Sequence, residues 1–294
     1  MEYTEYLIRE GYTTNTQNHF KERLQLYKSW CKKTGNEITQ MRYEIFLKYI
    51  AYLKRKGYQP QTISNHLATL KNYYSFLEIY HATTNPTEDI TMRGAINKVV
   101  YNPLSNDQLE DMYYRFPTEN IRCSNHRLYA KKNKVIVGLM IYQGLNATTI
   151  KQLREEDFDL YKGKLNVPST LRSNERELPL QSWQLLPLLE YINEVRPVML
   201  AHNYTSISEE HFFDAPKQIN NVLMLNIKKL QKINPQLEST NHLRSSVIIN
   251  WLKQYDLRKV QYMAGHKYIS STEKYQESNL EELQKSVEMY HPLQ

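Results

Sequence analysis

Cysteine is nearly absent. Cys31 and Cys123 are the two in 294 residues, so one disulfide is the upper limit and a bridge-stapled fold is excluded. Two free thiols in a reducing compartment are the simpler expectation. No Cys/His spacing of the zinc-ligand type occurs, so no metal is expected. No apolar run approaches the roughly 18 residues that would suggest a membrane helix. The start, Met1-Glu2-Tyr3-Thr4-Glu5, is acidic and polar. It lacks the basic and apolar regions of a secretion signal, which leads to the expectation of a cytoplasmic protein. Internal repeats and low-complexity tracts are also missing.

What is present is a globular composition, 40% hydrophobic and 23% charged, on a chain long enough for about two domains. The net charge is +7, and it is unevenly spread. Residues 1–100 hold 14 Lys+Arg against 9 Asp+Glu, and the remainder holds 24 against 22. A basic N-terminal portion suits a polyanion such as nucleic acid.

The first part reads as helices. Phe20, Leu24, Tyr27 and Cys31 share one face, and Gly35-Asn36 is a stop signal. Met41, Ile45, Tyr49 and Leu53 mark a second helix, with Lys54, Arg55 and Lys56 in its last turn, where cations complement the helix dipole. Ile63, Leu67, Leu70, Tyr74 and Leu77 form the stripe of a third. Asn85-Pro86 closes this bundle. The weakly periodic stretch after it gives domains at 1–90 and 104–294 with a linker over 91–103. Ser105 is placed to cap a helix from about Gln108, and Val135–Tyr142 reads as a buried helix. The period then changes. Phe158–Val167 and Glu175–Leu180 read as two short strands. Helices resume over Trp183–Val195, Lys217–Ile233, Asn241–Lys253, Leu257–Met263, Ser270–Tyr275 and Leu280–Met289. The fold class is α+β, mostly helical, with a small antiparallel sheet.

The C-terminal quarter contains Asn241-His242-Leu243-Arg244, then Ala264-Gly265-His266, then Tyr275. Arg244 to His266 is 22 residues and His266 to Tyr275 is nine. This resembles the active site of the tyrosine recombinase (phage integrase) family, with its H-x-L-R box, L-G-H box and nucleophilic tyrosine. Gln143–Leu153 resembles the family's T-G-L-R-x-x-E-L-x-x-L box. Residues 164–180 resemble its β-hairpin, and Gln61-Thr62-Ile63-Ser64 its core-binding domain. Tyr290-His291-Pro292-Leu293 resembles the end of a helix that docks on a neighbouring protomer.

The resemblance implies a SAM-like helical DNA-clamping domain followed by a catalytic domain. It implies Tyr275 as nucleophile toward a phosphodiester, with Arg244, His266 and Asn241 at the phosphate. An arginine fork matches two phosphate oxygens, and the covalent phosphotyrosine keeps the bond energy for rejoining. No metal or nucleotide cofactor is needed. Partners implied are double-stranded DNA at a specific site and a tetramer, of this chain or with other recombinases. Candidate DNA contacts, off the apolar stripe of the third helix, are Thr62, Ser64, Asn65, His66, Thr69, Lys71 and Asn72, with Lys54, Arg55 and Lys56 in a diffuse electrostatic role.

The departures are specific. Asn146 stands where the first box has arginine, Thr149 where it has an acid, and Asn241 where the H-x-L-R box has histidine. Counting back from Pro179 puts Leu171 at the hairpin lysine, with Arg172 beside it as the candidate substitute. Lys151, Arg154 and Arg176 are further nearby cations. Loss of one transition-state donor slows such a reaction by about 10²–10³. Three readings follow: a site-specific DNA recombinase or integrase, impaired unless other residues replace the lost donors, a non-catalytic DNA-binding relative that directs or regulates a competent partner, or an unrelated helical protein. In the last, Arg244 lies on a solvated face and Tyr275 in a separate core.

Overall fold

The computed structural model describes residues 2–40, 42–81, 83, 85–87, 102–119, 123–202 and 210–276. The chain divides into two units, Met1–Asn97 and Lys98–Gln294.

The first unit is helical: α1 (Tyr3–Arg9), α2 (Thr14–Thr34), α3 (Tyr43–Arg55) and α4 (Pro60–His81). The Thr13 side chain caps α2, and Gly35 ends it at φ 68°, the left-handed conformation that favours glycine. α4 packs against α1, α2 and α3. Its burial therefore spreads beyond the Ile63–Leu77 stripe to His66, Thr69, Tyr73 and Phe76. The core is rich in tyrosine, and a buried phenol must find a polar partner. Here Tyr27 and Tyr74 meet at 3.0 Å between hydroxyls, and Tyr74 donates to the Ile38 carbonyl at 2.9 Å.

An expectation is corrected in this unit, and the start of the chain is also packed. Tyr3, Tyr6 and Leu7 of α1 are buried, and Tyr3 donates to Asn72 Oδ1 at 2.7 Å. His66, expected on an exposed face, is only 5% exposed. Its Nδ1 lies 3.4 Å from the Tyr49 hydroxyl. Burial and the Arg23 charge push its pKa down to about 4, so the ring is a neutral core group and not a phosphate contact.

The second unit opens with α5 (Asn106–Tyr114), held by a reciprocal capping box between Ser105 and Gln108. α6 (Ser124–Tyr142) forms the centre of the core, with Val135 to Ile141 buried. It packs against α5, α8 (Ser182–Glu190), α10 (Pro216–Ile233) and α11 (Thr240–Leu252). Within this core Lys132 donates to both carboxylate oxygens of Asp214, at 2.5 and 2.6 Å. Burial lowers the Lys132 pKa against the opposing pull of Asp214.

After α7 (Ala147–Ile150) comes an antiparallel sheet in the order β1 (Phe158–Asp159), β2 (Lys164–Val167), β3 (Arg176–Pro179). The expected strand from Phe158 to Val167 is thus two strands, because the chain turns at Gly163 with φ 62°. In the β2–β3 hairpin Val167 pairs with Arg176 and Leu165 with Leu178. α9 (Arg196–Ala201), α12 (Leu257–Ala264) and a helical run over 270–276 complete the unit. The fold is mostly helical α+β with a small antiparallel sheet. Linker residues 91–101, the expected helix Leu280–Met289 and the tail Tyr290–Leu293 lie outside the described residues.

Candidate active site

α11 begins at Ser239, whose hydroxyl accepts from the His242 amide at 3.1 Å. His242 is buried and structural. Its Nδ1 accepts from the Glu238 amide at 3.1 Å, so the ring proton sits on Nε2 and faces the Asn102 carbonyl at 3.0 Å. This pins the first turn of α11 and aims Arg244, one turn in.

The Arg244 guanidinium donates to the Gly144 carbonyl and, at 2.8 Å, to the Ala264 carbonyl. It joins the turn after α6 to the end of α12. Gly144 has φ 57°, and a Cβ there would meet Trp251 at 3.1 Å and Val247 at 3.3 Å. Burial depresses the Arg244 pKa while Tyr275 acts to raise it. An arginine remains protonated through such a shift.

α12 ends in a left-handed residue, Gly265, with φ 71°. The next amide, His266, bonds back to the Gln261 carbonyl at 3.0 Å, which is the Schellman closure. That turn presents the His266 ring, whose Nδ1 lies 2.9 Å from Thr272 Oγ1. Tyr275 stacks on it, ring centroids 5.9 Å apart and planes 10° from parallel. The hairpin closes the other side. Ser173 bridges to His266, and the Asn174 amide bonds the Gly265 carbonyl at 3.0 Å.

From the hairpin a second guanidinium enters. Arg176 is 4% exposed. Its Nε donates to the Met263 carbonyl at 2.8 Å and its Nη1 to the Asn174 carbonyl at 3.3 Å. Desolvation and the Arg244 charge lower its pKa to about 10. Burial, joined by the Arg244 and Arg176 charges, presses the His266 pKa down to about 4. No carboxylate pairs with either guanidinium among the described residues. A buried guanidinium, a half-buried one, a neutral imidazole and a phenol thus come together with no carboxylate beside them among the described residues.

Residues 103–282 match the family described as "Phage integrase family", and residues 1–79 match "Phage integrase, N-terminal SAM-like domain". The chain belongs to the phage integrase family. Its curated relatives are tyrosine recombinases. It is 26% identical over 288 residues to tyrosine recombinase XerC of Natranaerobius thermophilus, covering 95% of this chain and 89% of the relative. It is 25% identical over 302 residues to XerD of Staphylococcus epidermidis, covering 97% and 95%. Among solved structures, XerH bound to palindromic difH substrate superposes with TM-score 0.72 at 15% identity, covering 94% of this chain and 80% of that one. A lambda integrase dimer bound to a COC′ core site superposes with TM-score 0.61 at 14% identity, covering 93% and 92%.

Against the integrase pattern, the residues expected from sequence fall into groups. Arg244, His266 and Tyr275 come together, which removes the reading of a chance helical protein. Asn241 is exposed one helical turn before Arg244. Arg172 is exposed in the hairpin turn, its amide bonded to Thr170 Oγ1 at 3.2 Å. The arginine that reaches the cluster from the hairpin is Arg176. Strand alternation carried the signal: Arg176 shares the inward face with Leu178, while Glu177 faces out. Asn146 has a different employment from the family's arginine, since its Oδ1 caps α7 by accepting from the Thr149 amide at 3.0 Å. Leu171, at the lysine position by count, is 73% exposed. In the first unit Lys54 and Arg55 are exposed, and Thr62, Ser64, Asn65 and Lys71 are half-buried.

Proposed function

We propose that this chain is a site-specific DNA recombinase that cleaves and rejoins double-stranded DNA through Tyr275. The observation that carries this reading is the stacking of Tyr275 on His266 beside Arg244, with two guanidiniums that have no carboxylate partner among the described residues. Such a cluster suits a phosphodiester, because preformed cationic donors stabilise the charge that develops on its non-bridging oxygens.

The reaction balances as follows. The Tyr275 oxygen bonds to the scissile phosphorus, and its proton passes to the neutral imidazole of His266. The bond from phosphorus to the 5′-oxygen breaks, and that oxygen takes a proton from water. A 3′-phosphotyrosine remains, and the reverse steps rejoin the strand. Asn241, exposed at the start of α11, donates to the phosphate, and Arg172 at the hairpin turn adds a cation facing the DNA backbone. With Leu171 where the family has lysine, no side chain there protonates the leaving oxygen. A general acid contributes about 10²–10⁴, so strand cleavage is slow. Residues 1–90 hold the duplex, with Lys54, Arg55 and Lys71 at phosphates and Thr62, Ser64 and Asn65 toward the groove. The assembly is a tetramer on DNA, of this chain or with other recombinases, in the cytoplasm.

The runner-up, a DNA-binding accessory that does not cleave, is favoured by one observation. Asn146 is committed to a helix cap where the family has arginine. A trapping assay separates the two readings. A duplex enriched from a randomised pool for binding to the full chain is nicked near its centre and incubated with protein, then denatured. A DNA-linked species that disappears in Tyr275→Phe supports cleavage. Tight binding with no linked species rejects it in favour of the accessory.

A further inference from the structure

We infer that Arg176 supplies the second phosphate-facing guanidinium that the first box lacks, which makes it a catalytic residue of the reaction read above; the inference rests on that reading. Asn146 cannot serve, being short, neutral and turned to the Thr149 amide. Arg172 is at the exposed hairpin turn, whereas Arg176 points from the inward face of β3 toward the Gly265-His266 turn.

Three observations support a charged role for Arg176 beyond bracing. First, it is 4% exposed and has no carboxylate partner among the described residues. Burying a lone charge is unfavourable, and a neutral donor would brace the turn without that penalty. Second, its Nε and Nη1 are held by two carbonyls. Nη2 has no protein acceptor among the described residues, and it is not sealed from solvent. Third, the chain makes room for it. A Cβ on Gly265 would lie 2.3 Å from Arg176 Nη1, so the turn that presents His266 is shaped around this guanidinium. Arg176 and Arg244 each depress the His266 pKa, and Arg244 depresses that of Arg176. An anion between like charges relieves that repulsion.

The test compares Arg176→Met with the unaltered chain on two nicked duplexes of the enriched sequence. One carries a normal scissile phosphate and the other a methylphosphonate, which has no charge on its non-bridging oxygen. On the phosphate, Arg176→Met slows covalent adduct formation by about 10²–10³-fold. On the methylphosphonate, the variant stays within about tenfold of the unaltered chain, because the charge that Arg176 meets is gone. An equal defect on both substrates overturns the proposal and leaves Arg176 as a brace, and so does the absence of any defect. Should Arg176→Met not fold, Arg176→Lys keeps the charge without the fork, and the same ratio between substrates is read from it. If the unaltered chain forms no adduct on either duplex, the functional reading itself has failed.

Discussion

Gly265→Ala puts the tightest packing of the site under direct test. Two penalties act. Gly265 has φ +71°, and an L-residue held in the left-handed region costs about 1–2 kcal/mol. The new methyl would also stand 2.3 Å from Arg176 Nη1 and 2.8 Å from Cζ, so the guanidinium must move. Moving it breaks at least one of the bonds to the Met263 and Asn174 carbonyls. A hydrogen bond to a charged group is worth about 1.5–3 kcal/mol. The expected loss is about 3–5 kcal/mol, read as a shift in urea midpoint at unchanged slope. In an Arg176→Ala background the three atoms nearest the methyl are gone, and the backbone penalty of about 1–2 kcal/mol is the main cost left. The four proteins form a double-mutant cycle with a coupling of at least about 1.5 kcal/mol. Equal effects of Gly265→Ala in both backgrounds would show that the turn is not shaped around Arg176.

His66 titrates near 4 in the fold against 6.5 for a free ring. The unfolded chain therefore binds the extra proton between these values, and the stability contribution, complete above pH 6.5, is lost as the pH falls toward about 4. Urea titrations should find His66→Gln less sensitive over that window by on the order of 3 kcal/mol. Lys132→Met leaves Asp214 buried without its partner and should destabilise the second unit by about 3–5 kcal/mol, while Lys132→Met combined with Asp214→Leu should be milder than Lys132→Met alone. Asn146→Ala removes the α7 cap and should lower the thermal midpoint by an amount equivalent to about 0.5–2 kcal/mol.

The sequence carried the helices wherever one face packs and the other is wet. Leu24, Tyr27 and Cys31 on α2 keep the register expected of them, and the change to period two over 164–180 announced the hairpin. α4 was harder to read because helices pack on it from several sides, so polar His66 and Thr69 are buried along with the apolar stripe. α1 is seven residues long, too short for a periodic signal, and its anchoring is a phenol bond to Asn72 across 69 residues. The resemblance to the family's boxes put Arg244, His266 and Tyr275 in one site, and the start of α11 and the Schellman turn after α12 aim the first two. Counting from Pro179 favoured Arg172 over Arg176 because it assumed that the family's hairpin lysine has a direct replacement at its tip. Strand alternation pointed to Arg176, but a buried arginine is a rare enough occupant of an inward position that only packing against Gly265 makes sense of it.

The central claim is that one phosphate-like anion sits where Arg244, Arg176, His266 and Tyr275 meet. Crystals of the full chain soaked in tungstate, located by its anomalous signal, address this without knowledge of the DNA site. The account predicts a tungstate within hydrogen-bond reach of both the Arg244 and Arg176 guanidiniums, with the Tyr275 hydroxyl facing its metal atom. A saturating soak that leaves these four side chains without an anion while tungstate binds elsewhere on the second unit would contradict it.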